Sequence, residues 1–175
     1  YKIIKKGARA AEYENAIQWL VSGNLLSQVY RAEHIMKPLD NYKDIDDFKV
    51  FLSDMGLLCA QKDLRPDDIF FMEEELTDFK GGMTENYVNI QLVINGFRTF
   101  FWRNEKGTKE VDFVVALDGK LIPIEVKSGD NVTSQSLMEY IRLFKPAYSI
   151  RLSMRNFGFE NGIHSIPLYA IFCIK

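Results

Sequence analysis

The sequence predicts an α/β fold, and three observations lead to that prediction. Apolar residues recur at helical spacing before residue 22 and in two later segments. Segments rich in β-forming residues follow, and Asp118-Gly119 is the strongest hairpin-turn signal among them. From residue 82 the predicted order is helix, three strands, helix and strand, with a further strand at the end. With 175 residues, 47% of them hydrophobic, the chain can bury a core for such a fold.

Composition and charge narrow the classes of function that the chain can serve. No run of about 18 apolar residues is present, so the sequence predicts no membrane span and no membrane partner. The basic start, Lys2, Lys5 and Lys6, lacks the apolar segment of a secretion signal, so we expect a cytoplasmic location. A formal net charge of −2 disfavours nucleic-acid binding over the whole surface and is compatible with a local basic groove.

The cysteines and the first residue add further expectations. Cys59 and Cys173 are far apart and form no CxxC motif, so the sequence predicts neither a disulfide framework nor a zinc site. Both are expected to be small buried hydrophobic residues. Because the chain opens at Tyr1 in what reads as mid-domain sequence, we expect an excised part of a longer protein.

Residues 1–75 are predicted to form a small helical or winged-helix-like connecting segment. Residues 8–22 fit a helix that stops at Ser22-Gly23-Asn24, and residues 25–31 fit a strand that ends before Pro38. Residues 48–58 fit a strand and a helix equally well, so both alternatives stay open. Residues 61–68 are interpreted as a linker, and Glu73 to Glu75 as a solvated acidic face.

Residues 76–175 are predicted to form the second domain. Thr84 is expected to cap a helix that ends at Asn95-Gly96, which places Glu85 in its first turn. An aromatic strand over residues 97–103 follows, then a turn and the hairpin strands around Asp118-Gly119. Ser134 or Ser136 is expected to cap the next helix, and residues 149–153 and 167–172 are predicted strands.

The hairpin has a predicted register. With Asp118 and Gly119 as the two loop residues, Asp112 faces Glu125 across the strands, and Glu110 faces Lys127. Alternation then places seven apolar residues on one face: Val111, Phe113, Val115, Leu117, Ile122, Ile124 and Val126. The charged residues share the opposite face.

This register predicts a site for a divalent cation. Opposed Cβ atoms lie ~4.5–5.5 Å apart, so the carboxylates of Asp112 and Glu125 can be bridged by Mg²⁺ together with waters and a phosphate oxygen. Lys127 is then placed to stabilise an attacking water or the charge that develops on the phosphate. The alternative is a solvated strand end, with a Glu110–Lys127 ion pair and Asp112 in water. Glu85 is the fourth candidate, although a helix dipole also favours a glutamate in a first turn.

Several segments of the chain resemble a known family. They are Trp102-Arg103, Glu110-Val111-Asp112-Phe113-Val114-Val115, Pro123-Ile124-Glu125-Val126-Lys127-Ser128-Gly129, Ser136-Leu137 and Ile166-Pro167-Leu168-Tyr169-Ala170, with residues 13–20 and 48–58 upstream. Together they resemble the C-terminal domain of unknown function 4143, which follows the ATPase core of many prokaryotic AAA-type ATPases. That domain is similar to the PD-(D/E)XK, or restriction-endonuclease-like, nuclease superfamily.

The resemblance implies a restriction-endonuclease-like core of helix, three-strand meander, helix and strand. Asp112 matches the metal-binding aspartate, Glu125 and Lys127 match the (D/E)-x-K pair, and Glu85 matches the acidic residue of the first core helix. Gln91 departs from the glutamate that the family often has there. The implied metal is Mg²⁺ or Mn²⁺ held by Asp112 and Glu125, and ATP would bind only in an N-terminal domain outside this chain.

Two functions remain open on the sequence. One is a nuclease-like, DNA-interacting domain of an ATP-binding parent, with Mg²⁺-dependent phosphodiesterase chemistry and the N-terminal ATPase domain as partner. The other is a catalytically inactive interaction or regulatory module of the same ATPase. Four basic residues, Arg142, Lys145, Arg151 and Arg155, fit a phosphate-binding rim and scattered surface charge equally well. The two histidines, His34 and His164, are isolated and are not assigned to the site.

Overall fold

The computed structural model describes residues 10–65, 67, 77–129 and 134–175 as a mixed α/β protein. The α-helices are α1 (Ala10–Ser22), α2 (Met55–Gln61), α3 (Thr77–Ile94) and α4 (Gln135–Phe144), and 3₁₀ turns cover Leu39–Tyr42 and Leu168–Cys173. The strands are β1 (Leu26–Ala32), β2 (Lys43–Leu52), β3 (Phe100–Arg103), β4 (Glu110–Leu117), β5 (Lys120–Val126), β6 (Ser149–Ser153), β7 (Gly158–Glu160) and β8 (Ile163–Pro167). No helix in these ranges is both long and apolar enough to cross a bilayer.

All eight strands join one sheet in the order β2-β1-β3-β4-β5-β6-β8-β7. Strands β3, β4 and β5 form an antiparallel meander, and α4 then crosses over so that β6 lies parallel to β5. The order predicted from residue 82, helix, three strands, helix and strand, is therefore present. The final strand is β8, and it pairs parallel to β6.

The first part of the chain, predicted as a small helical or winged-helix-like connecting segment, contributes the strands β1 and β2 to this sheet. Strand β1 pairs antiparallel with β2 and parallel with β3, where Tyr30 lies beside Phe100. Val29 is fully buried in the same core as Phe101, so burial of apolar side chains stabilises the pairing of β1 with β3. The division at residue 75 stays a prediction, because residues 68–76 lie outside the described residues, as do Glu73 to Glu75.

The core has two layers, one on each side of the sheet. On one side Val88 and Leu92 of α3 pack with Ile171 and Ile174 from the C-terminal end against the strands. On the other side Leu137 and Tyr140 of α4 pack against Trp102, Val111 and Val114. Because both faces are covered, the central strands are nearly continuous runs of buried residues.

Helix α3 starts earlier than predicted. It begins at Thr77, so Thr84 is inside the helix and its Oγ1 donates a hydrogen bond to the Lys80 carbonyl at 2.7 Å. Gly81 and Gly82 are tolerated within the helix although each costs about 1 kcal/mol relative to alanine. Glu85 therefore lies in the third turn, and the helix dipole no longer accounts for it. The predicted end at Asn95-Gly96 is confirmed, since Gly96 has a positive φ of 87°.

Two further segments differ from the prediction or resolve it. Residues 48–58 contain both elements: β2 ends at Leu52, and Asp54 caps α2 by accepting the Leu57 N–H at 2.8 Å. Of the strand predicted at residues 167–172, only Pro167 lies in a strand, at the end of β8, and Leu168–Cys173 winds into a 3₁₀ turn that buries Ala170 and Ile171. The expectation of buried cysteines is wrong, because Cys173 is exposed and Cys59 is only partly buried.

The hairpin of β4 and β5 has the predicted register. Phe113 pairs with Ile124 and Leu117 with Lys120, and Asp118 and Gly119 both have left-handed backbone conformations. On its other side β4 carries a bulge, because Phe100 pairs with Val114 while Trp102 pairs with Val111. The bulge moves Val111 into the α4-side core, so the predicted single apolar face is wrong at that residue.

Candidate functional site

Asp112 lies in the β4 bulge, where the β4–β5 ladder ends. Its Oδ2 accepts the backbone N–H of Val126 at 2.7 Å. Burial raises the pKa of Asp112 well above its usual value, and the negative charges of Glu125 and Glu85 raise it further. Within the described ranges no cation forms an ion pair with this carboxylate. Asp112 is thus a half-buried acid held in a negative environment.

Glu125 is the most deeply buried acid of the site, with 3% of its surface exposed. Its Oε1 accepts hydrogen bonds from the Ser134 hydroxyl at 2.8 Å and the Lys127 ammonium at 2.7 Å. Its Oε2 is buried and has no hydrogen-bond partner in the described part of the protein. A buried carboxylate oxygen without a donor is costly, so this oxygen is available to a cation or a donor group.

Lys127 follows β5 directly and contacts the site through Glu125. Its backbone N–H donates to the Leu152 carbonyl at 2.9 Å, which ties the residue to β6. The alternative of a solvated strand end with a Glu110–Lys127 ion pair is wrong. Glu110 pairs instead with Arg103 of the neighbouring strand at 2.8 Å and with Lys49 at 2.6 Å, and Lys127 pairs with Glu125.

Glu85, on α3, lies at the edge of the site, where it pairs with a lysine from β2. Its Oε2 lies 3.1 Å from the Nζ of Lys49, and its charge is one of those that raise the pKa of Asp112. The structure therefore brings Asp112, Glu125 and Lys127 together and places Glu85 beside them. Glu85, Asp112 and Glu125 are not arranged as a three-carboxylate metal group, since the described residues contain no such group.

Lys49 is a site residue that the sequence reasoning missed. It lies on β2, and its Nζ passes over the Phe101 ring at 5.4 Å before contacting Glu85 and Glu110. Burial alone would lower the pKa of Lys49, but the two carboxylates outweigh it and the pKa is raised. The available signal was a lysine among the apolar residues of 48–52, in a segment whose type the pattern left open.

Ser134 was predicted only as a helix cap, and it also donates a hydrogen bond to Glu125 of the site. Its Oγ accepts the Leu137 N–H at 3.0 Å, which confirms Ser134 rather than Ser136 as the cap of α4. The same hydroxyl donates to Glu125. The N-terminus of α4 is thereby directed at a carboxylate, the charge that a helix N-terminus favours.

Comparison with protein families decides the classification. A model described as Domain of unknown function (DUF4143) matches residues 80–171, more than half of the chain. The chain belongs to the DUF4143 family. A second model, Domain of unknown function (DUF8612), matches residues 1–68. No curated protein and no solved structure matches the chain.

The DUF4143 segment holds all four predicted site residues, whereas Lys49 comes from the segment that matches DUF8612. Across the described residues, no group of three or more acidic, histidine or cysteine side chains is arranged to hold a metal ion. The available donors are therefore the carboxylates of Asp112 and Glu125. Mg²⁺ binds through one or two carboxylates with waters and phosphate oxygens, so this donor set and the unpartnered Oε2 of Glu125 fit a Mg²⁺ ion.

The histidines and the basic residues singled out in the sequence differ in their position relative to the site. Both histidines lie in aromatic contacts away from the site, His34 against Tyr42 and His164 against Tyr148 and Phe159. Of the basic residues, Arg151 lies in register with Glu125 on the adjacent parallel strand, and its Nε is buried without a hydrogen-bond partner among the described residues. Arg151 is thus the member of the predicted rim that the fold places beside the site.

Proposed function

We propose that this protein is a nuclease-like domain that hydrolyses nucleic-acid phosphodiesters with Mg²⁺ or Mn²⁺. The observation that carries the proposal is the buried, unpartnered Oε2 of Glu125 beside Asp112, with Lys127 at 2.7 Å from the same carboxylate. The order of helix, antiparallel three-strand meander, helix and parallel strand supports the proposal, since a restriction-endonuclease-like core has this order.

Each side chain has a role in this proposal. Asp112 and Glu125 hold the cation, which when bound supplies electrophilic activation of the phosphate and a more acidic water. Lys127 orients the attacking water and donates to a phosphate oxygen, where negative charge grows. The water oxygen bonds to phosphorus and gives up a proton to solvent, one P–O ester bond breaks, and the departing oxygen takes up a proton from solvent. Ser134 fixes the orientation of Glu125.

The partners follow from the charges around the site. Lys127 and Arg151 present cations beside the two carboxylates, which suits a phosphate backbone, and we propose DNA as the substrate. The resemblance to a C-terminal domain of AAA-type ATPases leads us to propose the ATPase domain of a longer cytoplasmic parent as the second partner and as the place where ATP binds.

A second candidate is a catalytically inactive interaction or regulatory module of the same ATPase. One observation favours it: Lys127 forms an ion pair with Glu125, and this contact neutralises part of the negative charge that a metal would need. In this case the fold and the charged residues serve contact with DNA, a protein or the ATPase.

Calorimetric titration with Mg²⁺ and Mn²⁺ tests the proposal. We expect binding at millimolar metal, and Asp112→Ala should abolish it because half of the carboxylate donor set is removed. Glu160→Ala is the matched control, since Glu160 is an exposed acid on the edge strand β7. Wild-type protein that binds neither metal at millimolar concentration would exclude the catalytic proposal.

Two activity measurements then separate the two candidates. Cleavage of single- and double-stranded DNA and RNA with Mg²⁺ or Mn²⁺, lost in Asp112→Ala and Glu125→Ala, supports the nuclease. Complementation in cells by the full-length parent carrying the same substitutions separates the classes independently. Full complementation by both variants indicates the inactive module.

A further inference from the structure

A continuous chain of ion pairs runs from the first part of the protein to the edge of the site. Asp47 bridges Arg31 and Arg103 at 2.9 Å each, Arg103 pairs with Glu110, and Lys49 joins Glu110 to Glu85. Every acid in this chain has at least one cation within 3.1 Å. Asp112, two residues from Glu110, has none among the described residues.

Lys49 is the last cation of this chain, and it alone pairs with Glu85 in the described part of the protein. Glu110 keeps a second cation, Arg103, whether or not Lys49 is present. The two glutamates therefore depend on Lys49 to different degrees. Loss of the Lys49 charge leaves Glu85 without a cation. Glu85 and Glu110 share the Nζ of Lys49, at 3.1 and 2.6 Å, and Glu110 precedes Asp112 by two residues on β4, so the freed carboxylate lies beside the metal site.

We propose that Lys49 is a positioning residue of the metal site, which holds Glu85 out of metal coordination so that only Asp112 and Glu125 bind the cation. The inference rests on the proposed metal-binding function. Because Lys49 lies in the segment that matches DUF8612, the site is completed by a strand from outside the DUF4143 segment.

The proposal predicts that substitution of Lys49 strengthens metal binding. A residue that only supports the structure weakens metal binding when it is removed. Removal of Lys49 instead frees a third carboxylate next to the cation, and the affinity of such oxygen sites rises with the number of charged ligands. Lys49→Met should therefore bind metal more tightly than the wild-type protein.

Calorimetry with Mn²⁺ on the 175-residue chain tests this prediction. We expect Lys49→Met to lower the Kd about tenfold, the size of a coupling between contacting charged residues. Lys49→Arg should keep the wild-type Kd, and the double variant Lys49→Met/Glu85→Gln should return to it. Lys120→Met is the control, because Lys120 is exposed at the turn end of β5 and should leave the Kd unchanged.

The outcomes separate failure of this inference from failure of the proposed function. Wild-type protein that binds no Mn²⁺ overturns both. Wild-type binding combined with an unchanged or weaker Lys49→Met overturns only the role of Lys49. If Lys49→Met does not fold, Glu85→Gln alone provides the test. This variant should bind Mn²⁺ with the wild-type Kd. A tenfold weaker Kd would show that Glu85 binds the metal while Lys49 is in place, which overturns the role of Lys49.

Discussion

Glu110 and Asp112 lie two residues apart on β4, carry the same charge and meet opposite environments. Glu110 is ion-paired with both Arg103 and Lys49. Asp112 accepts one backbone N–H, that of Val126, and has no ion pair among the described residues. Its pKa is raised by burial and by the charges of Glu125 and Glu85. The fold thus neutralises the charge of Glu110 and leaves Asp112 repelled by neighbouring carboxylates.

The contrast fits a structural role for Glu110 and, under the proposed function, a role in metal binding for Asp112. An acid that is buried beside like charges lowers stability, and such groups are concentrated at functional sites. A paired acid contributes to stability through its partners. Substitutions in the two places should therefore change the free energy of unfolding in opposite directions.

The largest effect is expected from Arg103→Met, which breaks the paired region. Asp47 and Glu110 each lose a cation in a partly buried network, so we expect a loss on the order of 2 kcal/mol. Thermal melting should show a decrease of about 4–8 °C. Arg98→Met is the matched control: Arg98 pairs with Asp40 while 76% of its side chain is exposed, and surface pairs contribute little. Equal losses in the two variants would contradict a structural role for the network.

Asp112→Asn should have the opposite sign and a smaller size. The asparagine oxygen can still accept the Val126 N–H, while the repulsion by Glu125 and Glu85 is removed. We expect a gain of about 1–2 kcal/mol at neutral pH, a typical size for relief of functional strain. Thermal melting without metal should therefore show a higher Tm for the variant, and metal binding should be weakened.

The pH dependence of that gain provides a second check. Because the pKa of Asp112 is raised in the folded state, the wild-type protein loses stability as the pH rises from the unfolded-state pKa of about 4 through the folded-state value. The asparagine variant has no such group. The difference in Tm should thus be greatest at neutral pH and vanish near about pH 4. A gain that is independent of pH would show that charge repulsion is not its cause.

Local signals in the sequence predicted the elements that hold the site. Asp118-Gly119 is a turn that imposes its own geometry, so the hairpin register was predictable from two residues and an alternating pattern. The Ser134 cap was recognisable for the same reason, since the residues that cap a helix lie next to it in sequence.

Contacts between distant segments were not predictable in this way. The pairing of β1 with β3 and the contact of Lys49 with Glu110 join residues more than 60 positions apart, and no local pattern specifies them. The bulge at Asp112 was missed because alternation assumes an unbroken ladder. The helix was predicted to start at Thr84, yet it includes Gly81 and Gly82, because packing of Val88 and Leu92 outweighs the low helix propensity of glycine.

Among the substitutions in the site, Ser134→Ala is expected to have the smallest effect. The substitution removes the cap of α4 and one of the two donors to Glu125, at a cost of about 1 kcal/mol, or about 2–4 °C in Tm. Asp54→Ala removes the same type of cap from α2, where the cap aspartate has no site carboxylate as partner, so its loss should be smaller.

Ser134→Asp distinguishes the two roles of the serine, because it can still cap the helix but places a second negative charge against Glu125. A Ser134→Asp variant as stable as the wild-type protein would show that capping is the whole contribution; we expect it to melt below Ser134→Ala, and Ser134→Thr to melt with the wild-type protein.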